Sequence, residues 1–349
     1  MNETARIRSH KRLLEVDFIR PILILLLVID HSFVIYSGGW PEPVGFEPSA
    51  VYSWIAKFSY SFMLETFVFI SGYVFMYQII DKQKFPTWGG VIVNKFRRLI
   101  IPSIVFSILY MLLFEKPITI SEAIYQILNG VGHMWFLPML FWCFILGWLI
   151  MKLDIKNIYN WIILICLTLM SAIPLPFQLG RAFYYLPFFI GGGFVYRFCL
   201  YKVKDNITKG RVFGLWVLFA ILFVGLTVCR DYLLSLTDLS LPARVIQTSM
   251  LKLSRILYSA IGVISIYCTG VWYAENYNLN PRVTAFGKNC FGIYLFQQFI
   301  LQTIYYKTDI PTVVGPQWLP WTGFAITLII STVLSFGLSK TTIGRMLIG

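Results

Sequence analysis

The apolar residues of this chain come in blocks of about 16 to 24, separated by short polar stretches, and that spacing limits the possible folds more than any other feature. A block of this length reaches across a hydrocarbon layer of ~30 Å as a helix rising ~1.5 Å per residue. Within lipid, every backbone N–H and C=O must find its partner inside the protein, which leaves helices or closed barrels. The blocks are continuously apolar rather than alternating, so the expected fold is all-α, a polytopic bundle of about ten transmembrane helices. The expected spans are 18–36, 56–79, 99–114, 133–151, 158–176, 183–200, 212–229, 253–274, 291–306 and 320–338. With 58% hydrophobic and 13% charged residues, the chain does not read as an ordinary soluble domain.

A formal net charge of +13 would suggest nucleic acid if the chain were soluble. Here the basic residues follow the loops instead. With the N-terminus placed inside, twenty Lys and Arg fall on cytoplasmic segments and eight on the opposite side. The positive-inside rule then puts both termini in the cytoplasm. The expected partners are therefore membrane lipids and not nucleic acid. Residues 1–349 read as a single membrane domain, with 1–17 and 339–349 as cytoplasmic ends and no appended soluble domain. The basic-then-apolar N-terminus looks superficially like a secretory signal. Arg20 and Asp30 interrupt its apolar region, and no small-residue cleavage site follows, so it is expected to remain as the first span. The six cysteines lie in or beside apolar blocks without metal-ligand spacing and read as small buried hydrophobes.

The candidate chemistry starts in that first span. Arg20 and His31 are eleven residues apart, three helical turns plus roughly 20°, so they share one face. They stand ~16 Å apart along the axis, about half the depth of the hydrocarbon layer. Polar groups at such depth face protein or a water-filled cavity, and they mark functional sites. Asp17 lies one turn before Arg20, and Asp30 adjoins His31. Glu65 sits in the second span ahead of Ser71-Gly72, a small pair suited to close helix packing. Lys95, Arg97 and Arg98 form a basic mouth to the third span, suited to lipid headgroups or to a phosphate-bearing ligand. His133 and Trp135 open the fourth span near the outer surface, where the indole could stack on a sugar.

These motifs together resemble the acyltransferase-3 family of integral membrane proteins that acylate cell-surface carbohydrates. Arg20 and His31 match its first-helix Arg-x10-His pattern. FVFISGYVF (67–75), KFRRLIIP (95–102), HMWFLPMLF (133–141), YYLPFFIGG (184–192) and FGKNCFGIYLFQQFIL (286–301) follow in the family's order. The chain departs from many relatives in carrying Gln297 and Gln298 where a histidine is common, and no acid–base role is assigned there.

The resemblance implies transfer of an acyl group, most often acetyl, from cytoplasmic acyl-CoA to a hydroxyl of a cell-surface or lipid-linked glycan. It also implies a multi-pass protein of the bacterial inner membrane. Acetyl-CoA would act as co-substrate, with no permanently bound cofactor and no metal. His31 suits the general base, because an unperturbed imidazole titrates near ~6.5. Arg20 is its catalytic companion. Lys95, Arg97 and Arg98 are expected to hold the donor, while Asp30, Glu65, His133 and Trp135 support the site or the acceptor. The rival expectation is a transporter or flippase of a lipid-linked or secreted glycan, with the same charges lining a path.

Overall fold

A computed structural model of the chain describes residues 12–115, 119–151, 158–171, 175–237 and 240–348; among these it is helical, without strands. Residues 1–11 of the expected N-terminal segment and 172–174 of the fifth expected span lie outside the described residues. In chain order the helices are α1 (Leu14–Phe33), α2 (Ala50–Tyr60), α3 (Met63–Ile80), α4 (Trp88–Lys95), α5 (Ile101–Phe114) and α6 (Ile120–Asn129). Then come α7 (Phe136–Met151), α8 (Ile158–Met170), α9 (Leu179–Phe194), α10 (Leu200–Asn206), α11 (Lys209–Ser235) and α12 (Leu241–Asn276). The chain continues through α13 (Pro281–Gly287), α14 (Cys290–Tyr306), α15 (Ile310–Val314), α16 (Leu319–Lys340) and α17 (Thr342–Ile348).

Seven stretches among the described residues are long and apolar enough to cross a bilayer: Leu14–Ser37, Ala50–Ile80, Trp88–Phe114, Gly132–Met151, Lys209–Ser235, Ala243–Asn276 and Leu319–Lys340. The other three expected spans are helical but do not meet that measure. α8 has 13 residues, α14 has 17, and α9 has 16 before the backbone widens to a π-turn at Val195–Cys199. α9 also carries Arg181, Pro187 and three consecutive glycines, all of which lower its apolar character.

α1 sits at the centre and packs against α2, α3, α12, α13, α14 and α16. Its buried Glu15 accepts a hydrogen bond from the Tyr73 hydroxyl at 2.6 Å, which ties α1 to α3 without leaving a naked carboxylate in the interior. The second expected span is two helices. The break falls at Ser61–Phe62, and the Ser61 carbonyl it frees accepts from the Ser259 hydroxyl at 2.6 Å. A broken helix is tolerated in a membrane where a neighbour re-satisfies its backbone in this way.

The tightest crossing joins α3 to α9. A Cβ on Gly72 would stand 1.9 Å from the Phe189 carbonyl oxygen, and one on Gly192 would stand 1.9 Å from the Phe69 carbonyl oxygen. Reciprocal glycines let the two backbones touch, the small-residue packing that joins helices where lipid removes the hydrophobic drive. α11 and α12 form an antiparallel pair held by Trp216 Nε1, which donates to Thr269 Oγ1 at 2.9 Å. The exposed face of α11 carries Phe213, Val217, Ile221, Val224 and Val228, suited to lipid tails. α6 opens on a Thr119–Glu122 capping box, whose bonds hold the exposed Glu122 carboxyl below its ordinary value. Its exposed Ile120, Ile124 and Leu128 recur every four residues, as in a helix lying along an interface.

The α3–α9 crossing gives a direct expectation. Gly72→Ala forces the backbones apart and should cost about 1–3 kcal/mol, as overpacking does. Gly191→Ala meets nothing closer than 4.0 Å and should be near neutral. Thermal unfolding of both variants in detergent checks this; equal midpoints would contradict the close approach.

Candidate active site: two chambers along the first helix

The stripe that carries Arg20 and His31 faces two cavities, one at each end of α1. The Arg20 end opens into a chamber of about 590 Å³ whose wall includes Arg20, Lys95, Arg98 and Lys288. The His31 end opens into a larger one of about 770 Å³, whose wall includes Asp30, His31, Trp40, His133, Arg255 and Gln298. Leu27, Leu64, Phe136 and Tyr294 line both and form a collar between them. α7 runs the opposite way to α1, so His133 and Trp135 before it meet the His31 chamber while Leu137, Leu140 and Phe144 meet the other.

The Arg20 chamber is cationic. None of Arg20, Lys95, Arg98 and Lys288 forms an ion pair among the described residues. Asp17, expected beside Arg20, pairs with Arg12 instead. Lys95 is buried, with its ammonium 3.7 Å from the Phe144 ring centroid and 5.4 Å from those of Phe75 and Phe85. Aromatic faces attract a cation through their quadrupoles but leave its N–H donors free. The backbone widens to a π-turn over Phe96–Ile100, just after Lys95. Insertions of this kind recur at functional sites. Both Lys95 and Arg98 reach the wall, whereas Arg97 is exposed and lies outside it. Four cations gathered without a carboxylate repel one another unless water or an anion lies between them.

In the other chamber, His31 Nδ1 lies 2.9 Å from Gln297 Oε1. With the Gln297 amide oxygen toward the ring, Nδ1 carries the proton and Nε2 presents its lone pair, and the Gln297 Nε2 is left buried without a partner among the described residues. The Trp40 indole stacks on the ring, 5.9 Å between centroids and 11° from parallel. Asp30 is buried but forms no side-chain hydrogen bond with His31, so the adjacent acid is not what orients the imidazole. An ideal helix already turns the two side chains about 100° apart.

His133 is buried rather than at the surface, and its ring centroid is 6.4 Å from that of His31. Its backbone N–H donates to Gln298 Oε1 at 2.7 Å, Nδ1 contacts the same oxygen, and Nε2 lies 3.2 Å from the Leu295 carbonyl. Both its ring nitrogens therefore abut oxygens, and the lone pair available to a ligand belongs to His31. Gln297 and Gln298, left without an acid–base role in the sequence reading, act here by fixing the two imidazoles.

Glu65 is fully buried. The guanidinium of Arg255 donates to its Oε1 from both Nε and Nη2 at 3.3 Å, and the Tyr184 hydroxyl donates to the same oxygen at 3.3 Å. Arg255 also lies over the Tyr60 ring at 4.5 Å. The expected eighth span of 253–274 puts Arg255 at its outer edge, among the eight basic residues on that side. The helix starts at Leu241, with Pro242 in its first turn, where proline costs no helical bond. The Ser-x-Pro of 240–242 is the signal that could have moved the boundary.

A family model described as an acyltransferase domain matches residues 13–340 of the chain. No curated protein and no solved structure matches it.

The Glu65–Arg255 pair makes a testable demand. Arg255→Met strands a buried carboxylate and should cost about 3–5 kcal/mol. Glu65→Leu combined with Arg255→Met removes both charges and should recover most of that loss. Unfolding midpoints of the single and double variants check this, and equal destabilisation would contradict a coupled pair.

Proposed function

Because the chain belongs to the acyltransferase-3 family, we propose that it transfers an acyl group, most simply acetyl, from acyl-CoA to a hydroxyl of a cell-envelope glycan. The observation carrying this reading is the contrast between the two chambers: four cations without a paired acid at one end, and an imidazole with a free lone pair at the other. The phosphates of acyl-CoA match the first chamber, because charge-assisted bonds from Arg and Lys to phosphate are short and strong. The pantetheine arm is unbranched and mostly apolar, and it suits passage through the Leu27–Leu64–Phe136–Tyr294 collar. The charge map of the loops supports a cytoplasmic side for the cationic chamber, where acyl-CoA is made, and the family supports a bacterial inner membrane.

In the His31 chamber, Nε2 accepts the proton of the glycan hydroxyl as its oxygen attacks the thioester carbonyl carbon. Collapse of the tetrahedral intermediate breaks the C–S bond, and the imidazolium returns the proton to the departing thiolate. Gln297 keeps Nδ1 protonated, so Nε2 is the basic atom throughout. Arg20 holds the donor from the far end of the same helix. Unpaired among the described residues, Lys95, Arg98 and Lys288 favour an anionic donor over the transporter alternative, which has no evident use for a cationic chamber set apart at one end.

Two sets of variants test this with radiolabelled acetyl-CoA and purified protein. His31→Ala and His31→Gln should each lower the transfer rate about 10²–10⁴-fold, the usual contribution of a general base. Lys95→Ala and Arg98→Ala should raise the donor KM by roughly tenfold or more while leaving the acceptor KM nearly unchanged. Full activity in both His31 variants would exclude the mechanism, and an unchanged donor KM would reduce the basic residues to lipid anchors.

A further inference from the structure

A third cavity, of about 470 Å³, adjoins the His31 chamber; Tyr60, Trp135, Arg230 and Arg255 line both. Its remaining wall adds Arg181, Lys252 and two tyrosines, Tyr184 and Tyr185. Four cations thus face one space, and no carboxylate is among the described residues lining it. The acids nearby are committed elsewhere or stand outside this wall. Glu65 lies behind Arg255 and is bonded to it, Asp231 pairs with Lys57 at 2.6 Å, and Asp30 lines the neighbouring chamber.

Arg181 is held by a ring rather than by an acceptor, whereas Arg255 donates to Glu65 and Arg230 to the Leu251 carbonyl at 3.5 Å. Arg181 lies 4.4 Å from the Trp135 ring centroid and makes no side-chain hydrogen bond or ion pair among the described residues, and neither does Lys252. Stacking fixes the plane of a guanidinium while leaving its forked N–H donors open, the arrangement that recognises carboxylate or phosphate. The aromatic faces of Trp135, Tyr184 and Tyr185 suit the apolar face of a sugar ring, as amphipathic rings do.

We propose that this cavity seats an anionic group, carboxylate or phosphate, of the glycan acceptor, so that the substrate class is an acidic saccharide rather than a neutral one. This rests on the acyl-transfer reading for the role of the acceptor but not for the binding itself. A saccharide spanning the shared wall would place its charge against Arg181 and Lys252 and a neighbouring sugar in the His31 chamber. The sequence reading assigned Trp135 to acceptor stacking; the structure adds the cation that lies on it.

Equilibrium binding tests this without turnover, using the full chain in neutral detergent. The probes are hexagalacturonate and glucose 1-phosphate, set against maltohexaose and glucose, with tryptophan fluorescence as the signal. The charged sugars should bind at least about tenfold more tightly than their neutral partners, the scale of one charge-assisted bond. The double variant Arg181→Gln, Lys252→Gln should lose most of that preference, and Arg181→Lys with Lys252 intact should keep much of it. Equal affinity for charged and neutral sugars, or a preference unchanged in the double variant, would overturn the proposal. Phosphatidylglycerol that binds through Arg181 and Lys252 while the sugars do not would make the cavity a headgroup site and overturn it. A charged-sugar preference that holds in a protein showing no acyl transfer would support this site and count against the acyl-transfer reading alone.

Discussion

Hydrocarbon offers a charged side chain no hydrogen-bond partner, and α1 carries both an arginine and a histidine into it. That one helix must therefore be shielded from lipid on the face that bears them. It is, by six neighbouring helices, and the polar face looks onto cavities rather than tails. The buried Glu15, the broken α2–α3 span and the Gly72–Gly192 crossing all serve the same requirement, since each brings a second helix close enough to satisfy a polar group or to seal the core. The cost of an unpaired polar group in this environment, several kcal/mol, is a large share of the roughly 5–15 kcal/mol by which a folded protein is stable.

The same reasoning explains how charge is divided between the chambers. At the His31 end, Arg255 is matched by Glu65, with the Tyr184 hydroxyl on the carboxylate and the Tyr60 ring under the guanidinium. At the Arg20 end, the cations form no ion pair among the described residues, and Lys95 lies against ring faces. An anion set among such cations would offset their mutual repulsion, which is what the proposed donor phosphates would do. The apolar collar keeps the two environments distinct, so a ligand joining them needs a charged end and an apolar stem.

The helical nature of the chain and the polar face of α1 were legible because both follow from local pattern: apolar block length, and 100° per residue applied to Arg20 and His31. Lys95 and Arg98 were legible for the same reason, being neighbours on one turn. What the pattern could not supply was pairing across long separations. Gln297 is 266 residues from His31, and Gln298 is 165 from His133. An amide carries no charge to mark it as part of a site, so the adjacent Asp30 stood out where Gln297 does the orienting. Arg255 lies well inside its helix rather than at its edge, because the helix begins at Leu241, twelve residues before the expected span. His133 was set at the surface because an aromatic-rich span opening looks interfacial, whereas Tyr294 and Gln298 cover it. The count of ten spans came from hydropathy, which does not register that α9 and α14 are short and packed among other helices.

The central claim is that a donor lies along α1 with its charge at Arg20 and its acyl group at His31. A structure of the protein with a non-hydrolysable acetyl-CoA analogue tests this most directly. The account predicts nucleotide phosphates on Arg20, Lys95, Arg98 and Lys288, the pantetheine arm between Leu27 and Phe136, and the carbonyl within reach of His31 Nε2. Nucleotide density in the His31 chamber, with the cationic chamber filled only by lipid, would contradict it.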